Sequence, residues 1–212
     1  MASTEHPMHK LAEYLPDGIF EPVVAILHKY KVHLKITRQR ATVLGDYRHK
    51  GIYGNHIITV NGNLNKYEFL LTLLHELAHL LTYEQFGGRV AAHGIEWKTT
   101  YSKVLEQFVA YKCFPPDIEA ALNKTIRNPA ATTAGETALI KILRRYNTHV
   151  ATDTIHVEDL LDGQLFTTKD GRLFKRGNLR RKRYECIEVR TGLKYHVSAI
   201  ALVKPYQAEE TK

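Results

Sequence analysis

The chain has 212 residues and a formal net charge of +8 at pH 7, and 44% of its residues are hydrophobic. This length and composition are typical of one or two globular domains, and no apolar run approaches the roughly 20 residues that cross a bilayer. With only Cys113 and Cys186 present, a disulfide framework and a four-cysteine zinc site are both excluded. The first residues carry no apolar signal segment, so a cytoplasmic location without membrane association is expected.

Hydrophobic spacing in the first 130 residues predicts a mixture of helices and strands. Helices are predicted over 19–30, 66–86, 95–110 and 117–127. Strands are predicted over 31–37, 41–47 and 56–60. Asn65 can cap the longest helix, and Gly87 with Gly88 can end it. An α+β domain is therefore expected over residues 1–128.

The second part of the chain changes from a linker pattern to a strand pattern. Residues 128–135 (NPAATTAG) are small and polar, which is typical of a linker, and a short helix is predicted over 136–146. Strands are predicted over 164–168, 172–176, 183–190 and 193–203, with turns at Asp170-Gly171, Gly177-Asn178 and Thr191-Gly192. We expect a linker with its short helix over 129–163 and a small basic β-rich domain over 164–206.

The excess positive charge lies in this last segment. Between Gln164 and Lys204, eleven Lys or Arg residues stand against three acids, and this excess of eight equals the net charge of the whole chain. Such a segment can be a solvated hairpin surface, or it can follow a phosphate backbone while Phe174 and Tyr184 stack on bases. The concentration of charge favours nucleic-acid binding without sequence specificity. The predicted contacts are Lys175, Arg176, Arg180, Arg181, Lys182 and Arg183.

The stretch LTLLHELAHLL, residues 71–81, places three polar residues within an apolar helix. His75 and His79 are four residues apart, so they lie on one face and can share a metal ion. Glu76 can reach a metal-bound water and remove its proton, as in zinc hydrolases of the HExxH type. Alternatively, these residues could form the solvent-exposed face of an amphipathic helix. However, apolar residues surround the triplet, and burying polar groups without partners is costly. The motif therefore predicts a catalytic zinc site.

A catalytic zinc needs a third protein ligand. His93, in RVAAHGIEWK, follows a double-glycine reversal and is the favoured candidate. Glu84 lies too far along the same helix, and Glu96 can instead favour the start of the next helix. The other histidines considered are expected to be surface or structural residues: His49, His56, His149, His156 and His196.

Together, LLHELAHLL and HGIEWK resemble the SprT-like zinc metallopeptidases, which include the Spartan proteases acting on DNA–protein crosslinks. The resemblance rests on residues 73–98, and the order of elements over 19–127 is consistent with it. It implies a zincin-like minimal metalloprotease domain in which helices pack on a small sheet. It also implies one Zn²⁺ held by His75, His79 and His93, with Glu76 as general base. Many relatives carry a zinc ribbon on four cysteines, whereas only Cys186 is present in that region here.

Two functions are compatible with these patterns. The favoured one is a zinc metalloendopeptidase that a basic tail recruits to DNA, where it hydrolyses DNA-associated or DNA-crosslinked proteins. The alternative is a non-catalytic nucleic-acid-binding protein with a structural zinc site, a role that leaves Glu76 without a purpose. The expected partners are a protein substrate and DNA, single-stranded or duplex. Tyr83 and Tyr101 are available to stabilise the oxyanion, but packing is the favoured interpretation of both.

Overall fold

The structure is a computed structural model that describes residues 8–40, 43–50, 54–127, 129, 137–147, 154–181 and 183–206. It divides into two compact units, Met1–Thr148 and His149–Lys212. Helices and sheets are both present, so the fold is α+β, as predicted. None of the helices within the described ranges is long and apolar enough to cross a bilayer. The predicted linker 128–135 lies outside these ranges except for Pro129.

The helices of the first unit follow the predicted apolar spacing closely. They are α1 (Phe20–Lys29), α2 (Lys66–Phe86), α3 (Ile95–Ala110), α4 (Pro116–Arg127) and α5 (Thr137–Arg144), with 3-10 turns at His9–Tyr14 and Gly87–Arg89. The Asn65 side chain accepts hydrogen bonds from the backbone N–H groups of Tyr67 and Glu68, which confirms the predicted N-cap. Gly87 ends α2 at φ 67°, a conformation that glycine adopts without strain.

The first unit contains a small mixed sheet in the order β1-β3-β2. Its strands are β1 (Val32–Thr37), β2 (Gly45–Arg48) and β3 (His56–Asn61). The central strand β3 pairs parallel with β1 and antiparallel with β2. Of the strand predicted over 41–47, residues 41 and 42 lie outside the described residues, and β2 begins at Gly45. Just before it, the carbonyl oxygens of Val43 and Leu44 accept hydrogen bonds from the Asn61 side chain and backbone N–H. Within the described part of the chain, β2 is thus an edge strand.

Helix α2 lies at the centre of the first core and packs against β2, β3 and α3. Leu70, Leu73 and Leu74 are completely buried on it. Burial of each such side chain stabilises the fold by about 1.5–3 kcal/mol, so these leucines hold α2 in place without any contribution from its polar residues. Leu139 and Leu143 of α5 join the same core, so the short helix that we grouped with the linker packs in the first unit.

The second unit is an antiparallel sheet in the order β4-β9-β5-β6-β7-β8. The strands are β4 (Ile155–His156), β5 (Leu165–Thr167), β6 (Leu173–Arg180), β7 (Arg183–Glu188), β8 (Lys194–Ser198) and β9 (Leu202–Pro205). The short β4 was not predicted, and the stretch 193–203 forms two strands because a turn brings the Ala201 N–H to the Ser198 carbonyl. The apolar core contains Val157, Leu160, Phe166, Phe174, Tyr184, Cys186 and Val203.

The turn predicted at Gly177-Asn178 is wrong. Strand β6 continues through these residues to Arg180, with a register shift between Arg176 and Leu179. A Cβ on Gly177 would collide with the Glu185 carbonyl oxygen of β7, so the glycine permits a close approach of two backbones rather than a reversal. The chain reverses after Arg180 instead, where Arg181 has φ 58°.

Candidate metal centre

A cleft of about 660 Å³ opens beside α2 in the first unit. One wall is formed by residues 43–47, at the beginning of β2 and just before it. Another is the face of α2 that carries the HExxH residues, and the loop 87–93 completes the lining. The edge strand, the central helix and the loop before α3 therefore meet at one site.

The structure brings the three predicted ligands together in this cleft. His75 and His79 project from successive turns of α2, and His93 returns from the loop that precedes α3. Nε2 of His75 lies 3.3 Å from Nε2 of His79 and 3.3 Å from Nε2 of His93. One ligand nitrogen from each histidine falls within 4.8 Å of the other two, so the cluster can hold a metal ion.

Two of the spacings between these nitrogens are compatible with a tetrahedral metal ion such as zinc. A tetrahedral Zn²⁺ with Zn–N distances of about 2.0–2.1 Å requires ligand nitrogens about 3.3 Å apart. Three imidazoles leave the fourth position open, which is the arrangement of catalytic zinc sites. The rival ligands lie elsewhere, since Glu84 contacts His56 and Lys50, and Glu96 is in the first turn of α3.

Burial keeps the three imidazoles neutral at pH 7. Burial, together with the smaller effects of His79 and His93, lowers the pKa of His75 to about 3. Burial also lowers the pKa of His79 to about 4, with His93 adding to the effect, and it lowers the pKa of His93. A neutral imidazole presents the lone pair that a metal ion needs, so no proton has to leave these residues before the metal binds.

Trp97 of α3 forms the floor beneath the cluster. Its side chain is completely buried, and its ring centre lies 4.7, 5.1 and 4.6 Å from those of His75, His79 and His93. The Trp97 ring also stacks on the Tyr101 ring, with a centre distance of 4.9 Å. The indole therefore restricts the rotation of all three imidazoles, which favours one arrangement of the nitrogens.

Glu76 is buried beside His75 and lines the same cleft. Burial and, to a smaller extent, the charge of Asp46 raise the pKa of its carboxyl group to about 8, against an opposing effect of Arg40. A bound divalent cation would favour the ionised form, because an opposite charge nearby stabilises a carboxylate. The predicted base thus lies where a bound cation would increase its ionised fraction at neutral pH.

A partly buried hydrogen-bond chain beside the cleft was not predicted from the sequence. The Tyr47 hydroxyl lies 2.9 Å from His56 Nδ1, and His56 Nε2 lies 3.2 Å from Glu84 Oε1. Lys50 Nζ contacts the same carboxylate oxygen at 3.0 Å. His56, expected to be a surface or structural residue, is structural, since it is buried at the start of β3. In the sequence, the only sign that His56 is structural is its position on the apolar side of an alternating strand.

Most predicted nucleic-acid contacts are exposed in the second unit. Lys175, Arg180, Arg181 and Arg183 are exposed, whereas Lys182 lies outside the described residues. Arg176 differs, because its side chain is only 14% exposed. Its guanidinium stacks 4.1 Å from the Tyr184 ring centre and contacts Asp162 at 3.4 Å. Arg176 is therefore less accessible to a phosphate than the other described candidates, and its contact with nucleic acid stays a prediction.

Phe174 and Tyr184, the two aromatic residues expected to stack on bases, belong to the core of the second unit. Phe174 is 2% exposed and Tyr184 is 8% exposed. Phe174 packs on Phe166 and Tyr195, with ring centres 5.6 and 5.4 Å away. The expectation that Phe174 and Tyr184 stack on bases is therefore wrong, since buried rings offer no face to a ligand.

Comparison with known proteins points to a single family. The SprT-like family model matches residues 9–121, more than half of the chain. Protein SprT of Proteus mirabilis (strain HI4320) is 43% identical over 72 residues, which cover 32% of this chain and 40% of the relative. Protein SprT of Klebsiella pneumoniae (strain 342) is 36% identical over 103 residues, covering 43% and 61% respectively. The chain thus spans less than two thirds of these relatives, and no solved structure matches it.

Proposed function

The chain belongs to the SprT-like family, and from this membership and the histidine cluster we propose that its first unit is a zincin-like zinc metalloendopeptidase. One observation carries the proposal. Three neutral imidazole nitrogens converge in an open cleft, and a buried carboxylate lies beside them. A structural zinc site needs no such carboxylate and is usually closed by a fourth protein ligand.

In this proposal His75, His79 and His93 hold one Zn²⁺. When bound, zinc polarises the scissile carbonyl and lowers the pKa of a coordinated water from about 15.7 to about 7. Glu76 accepts a proton from the attacking water, whose oxygen forms the new bond to the carbonyl carbon. Glu76 then gives this proton to the amide nitrogen as the C–N bond breaks, so the products are a carboxylic acid and an amine.

The edge strand supports an extended peptide as substrate. Strand β2 has β3 on one side only within the described residues, and residues 43–47 line the cleft. An extended chain can add to such an edge through main-chain hydrogen bonds, with little demand on its side chains. A segment of unfolded protein that pairs with β2 would pass the zinc ligands and Glu76.

Recruitment to DNA is the second part of the proposal, together with a cytoplasmic location. Lys175, Arg180, Arg181 and Arg183 supply exposed positive charge on β6, β7 and their connection. Contacts of this kind bind phosphates without reading bases, so the expected ligand is DNA of any sequence. The proposed substrates are therefore proteins that are bound or crosslinked to DNA.

The test is cleavage of a disordered, lysine-rich DNA-binding protein by the zinc-loaded chain, with and without single-stranded DNA. We expect the wild type to cleave and DNA to raise the rate. The control Glu76→Gln should retain one zinc per chain and lose cleavage, because an amide accepts no proton. If the wild type binds zinc and DNA but cleaves under neither condition, the structural-zinc alternative is correct.

A further inference from the structure

We propose that the Tyr83 hydroxyl donates the hydrogen bond that stabilises the scissile carbonyl oxygen as this oxygen gains negative charge. The assignment rests on the proposed peptidase function. Peptide hydrolysis needs such a donor because a neutral carbonyl becomes an oxyanion during attack by water. In the sequence, packing is the favoured interpretation of both Tyr83 and Tyr101, and the hydrogen bonds around the cleft are what single out Tyr83.

Four side-chain hydroxyls line the cleft among the described residues, and they belong to Tyr47, Thr72, Thr82 and Tyr83. The two threonines are already committed as donors. Thr72 Oγ1 donates to the Glu68 carbonyl at 2.8 Å, and Thr82 Oγ1 donates to the Ala78 carbonyl at 2.7 Å. Both protons are therefore used within helix α2, which leaves the two tyrosines.

The proton of Tyr47 is committed as well. Hydrogen bonding from Lys50 lowers the pKa of Glu84, so this carboxylate is ionised and can only accept. His56 Nε2, 3.2 Å from Glu84 Oε1, must therefore carry the hydrogen. Burial lowers the pKa of His56, so the ring is neutral and its Nδ1 accepts. The Tyr47 hydroxyl, 2.9 Å from Nδ1, must then be the donor in that bond.

Tyr83 is the lining residue whose hydroxyl proton remains available. Within the described part of the chain its hydroxyl has no hydrogen-bond partner, although it lines the cleft with the histidines. Tyr83 follows His79 by four residues, so the two lie on one face of α2. Side chains on a helix lean toward its N-terminus, which directs a residue at this position back over the turn that carries His79.

Neighbouring rings hold the Tyr83 ring in place. The His49 ring stacks on it, with a centre distance of 4.7 Å and an interplanar angle of 11°. The ring centres of Tyr47 and His56 lie 6.5 and 6.3 Å from that of Tyr83. A donor fixed in this way needs little reorganisation during the reaction. The other candidate, Tyr101, is buried against Trp97 and does not line the cleft.

The first experiment removes the hydroxyl and keeps the ring. In Tyr83→Phe we expect kcat to fall roughly 100-fold, which is typical for loss of one oxyanion donor, while KM and zinc content stay close to wild type. Tyr111→Phe, at an exposed tyrosine at the end of α3, is the matched control and should keep the wild-type kcat. A fall of this size in Tyr47→Phe, with Tyr83→Phe at the wild-type rate, would overturn the assignment.

The second measurement separates this assignment from the peptidase proposal. A peptide phosphonate has a tetrahedral phosphorus with charged oxygens and so resembles the transition state. Tyr83→Phe should therefore weaken phosphonate binding by about the factor lost from kcat and leave binding of the substrate peptide unchanged. Equal phosphonate affinity in an active wild type and in Tyr83→Phe overturns the role of Tyr83 alone. A zinc-loaded wild type that neither cleaves peptides nor prefers the phosphonate to the peptide overturns the peptidase function, and the assignment with it.

Discussion

Gly45 of β2 lies directly against Glu76 of α2. A Cβ added to Gly45 would lie 2.8 Å from Glu76 Oε1 and 2.7 Å from Thr72 Cγ2, closer than real Cβ atoms approach their neighbours. The edge strand therefore reaches the proposed base only because this position has no side chain. The contact places the strand on which a peptide can pair next to the group that would activate water.

We expect Gly45→Ala to destabilise the protein and to lower its activity. An extra methyl group in a packed contact typically costs about 1–3 kcal/mol, and here it must displace Glu76 or move β2 away from α2. The free energy of unfolding from urea denaturation and kcat are the measurements. Gly88→Ala is the control for stability, because a Cβ at Gly88 meets no atom within 4 Å. Equal unfolding free energies in the two variants would contradict the prediction.

Removal of the third ligand should weaken zinc binding more than it weakens the fold. His93 lies in a loop, so His93→Ala leaves α2 and its buried leucines in place. We expect zinc affinity, measured by chelator competition, to fall by more than the roughly 10- to 100-fold typical of residues that only orient a ligand. His33→Ala, at an exposed position of β1, should bind zinc like the wild type. Unchanged affinity in His93→Ala would exclude this residue as a ligand.

The buried His56 should make the zinc-loaded protein less stable in mild acid. Burial lowers its pKa in the folded state, so below about pH 6.5 the unfolded chain binds a proton that the folded chain does not. The free energy of unfolding must then fall as pH decreases, by at most about 1.4 kcal/mol per pH unit for this residue. Hydrogen bonding from Lys50 lowers the pKa of Glu84, so this residue also lowers the free energy of unfolding as pH decreases, but only at pH values near and below the ordinary pKa of a glutamate.

Comparison of His56→Gln with the wild type isolates this effect. Glutamine can still accept from Tyr47 and donate to Glu84, but it does not titrate. Between pH 7.5 and 5.5 the variant should lose less unfolding free energy than the wild type, as measured by urea denaturation. His33→Gln, which removes an exposed histidine, should follow the wild type. Parallel losses in His56→Gln and the wild type would show that another group causes the acid sensitivity.

The sequence was sufficient where local rules decide the structure. Helix α3 begins at Ile95 and ends at Ala110 as predicted, because an apolar stripe and a glycine before it define a helix without reference to the rest of the fold. His75 and His79 share a face for the same reason, since their spacing is a property of α2 alone. His93 required a further step, as it meets them only after the double-glycine reversal.

The sequence was insufficient where strand pairing decides the structure. Gly45 meets Glu76, 31 positions later, because β2 pairs with β3 and β3 packs on α2, and no local pattern encodes that contact. The chain from Tyr47 through His56 to Glu84 arises in the same way. The turn predicted at Gly177 is wrong for a related reason, because the sequence around a glycine does not distinguish a turn from a β-bulge until the partner strand is known.

Arg176 and Arg180, both on β6, should behave differently in DNA binding. Arg180 is exposed, so Arg180→Ala should weaken binding and reduce the slope of log K against log salt by about 0.7–0.9, the change for one lost phosphate contact. Arg176 stacks on Tyr184 and contacts Asp162, so Arg176→Ala should lower the unfolding free energy and leave the salt slope nearly unchanged. Fluorescence anisotropy of labelled single-stranded DNA across a salt series, with urea denaturation alongside, measures both effects. A reduced slope with unchanged stability in Arg176→Ala would mean that its guanidinium leaves Tyr184 to bind phosphate.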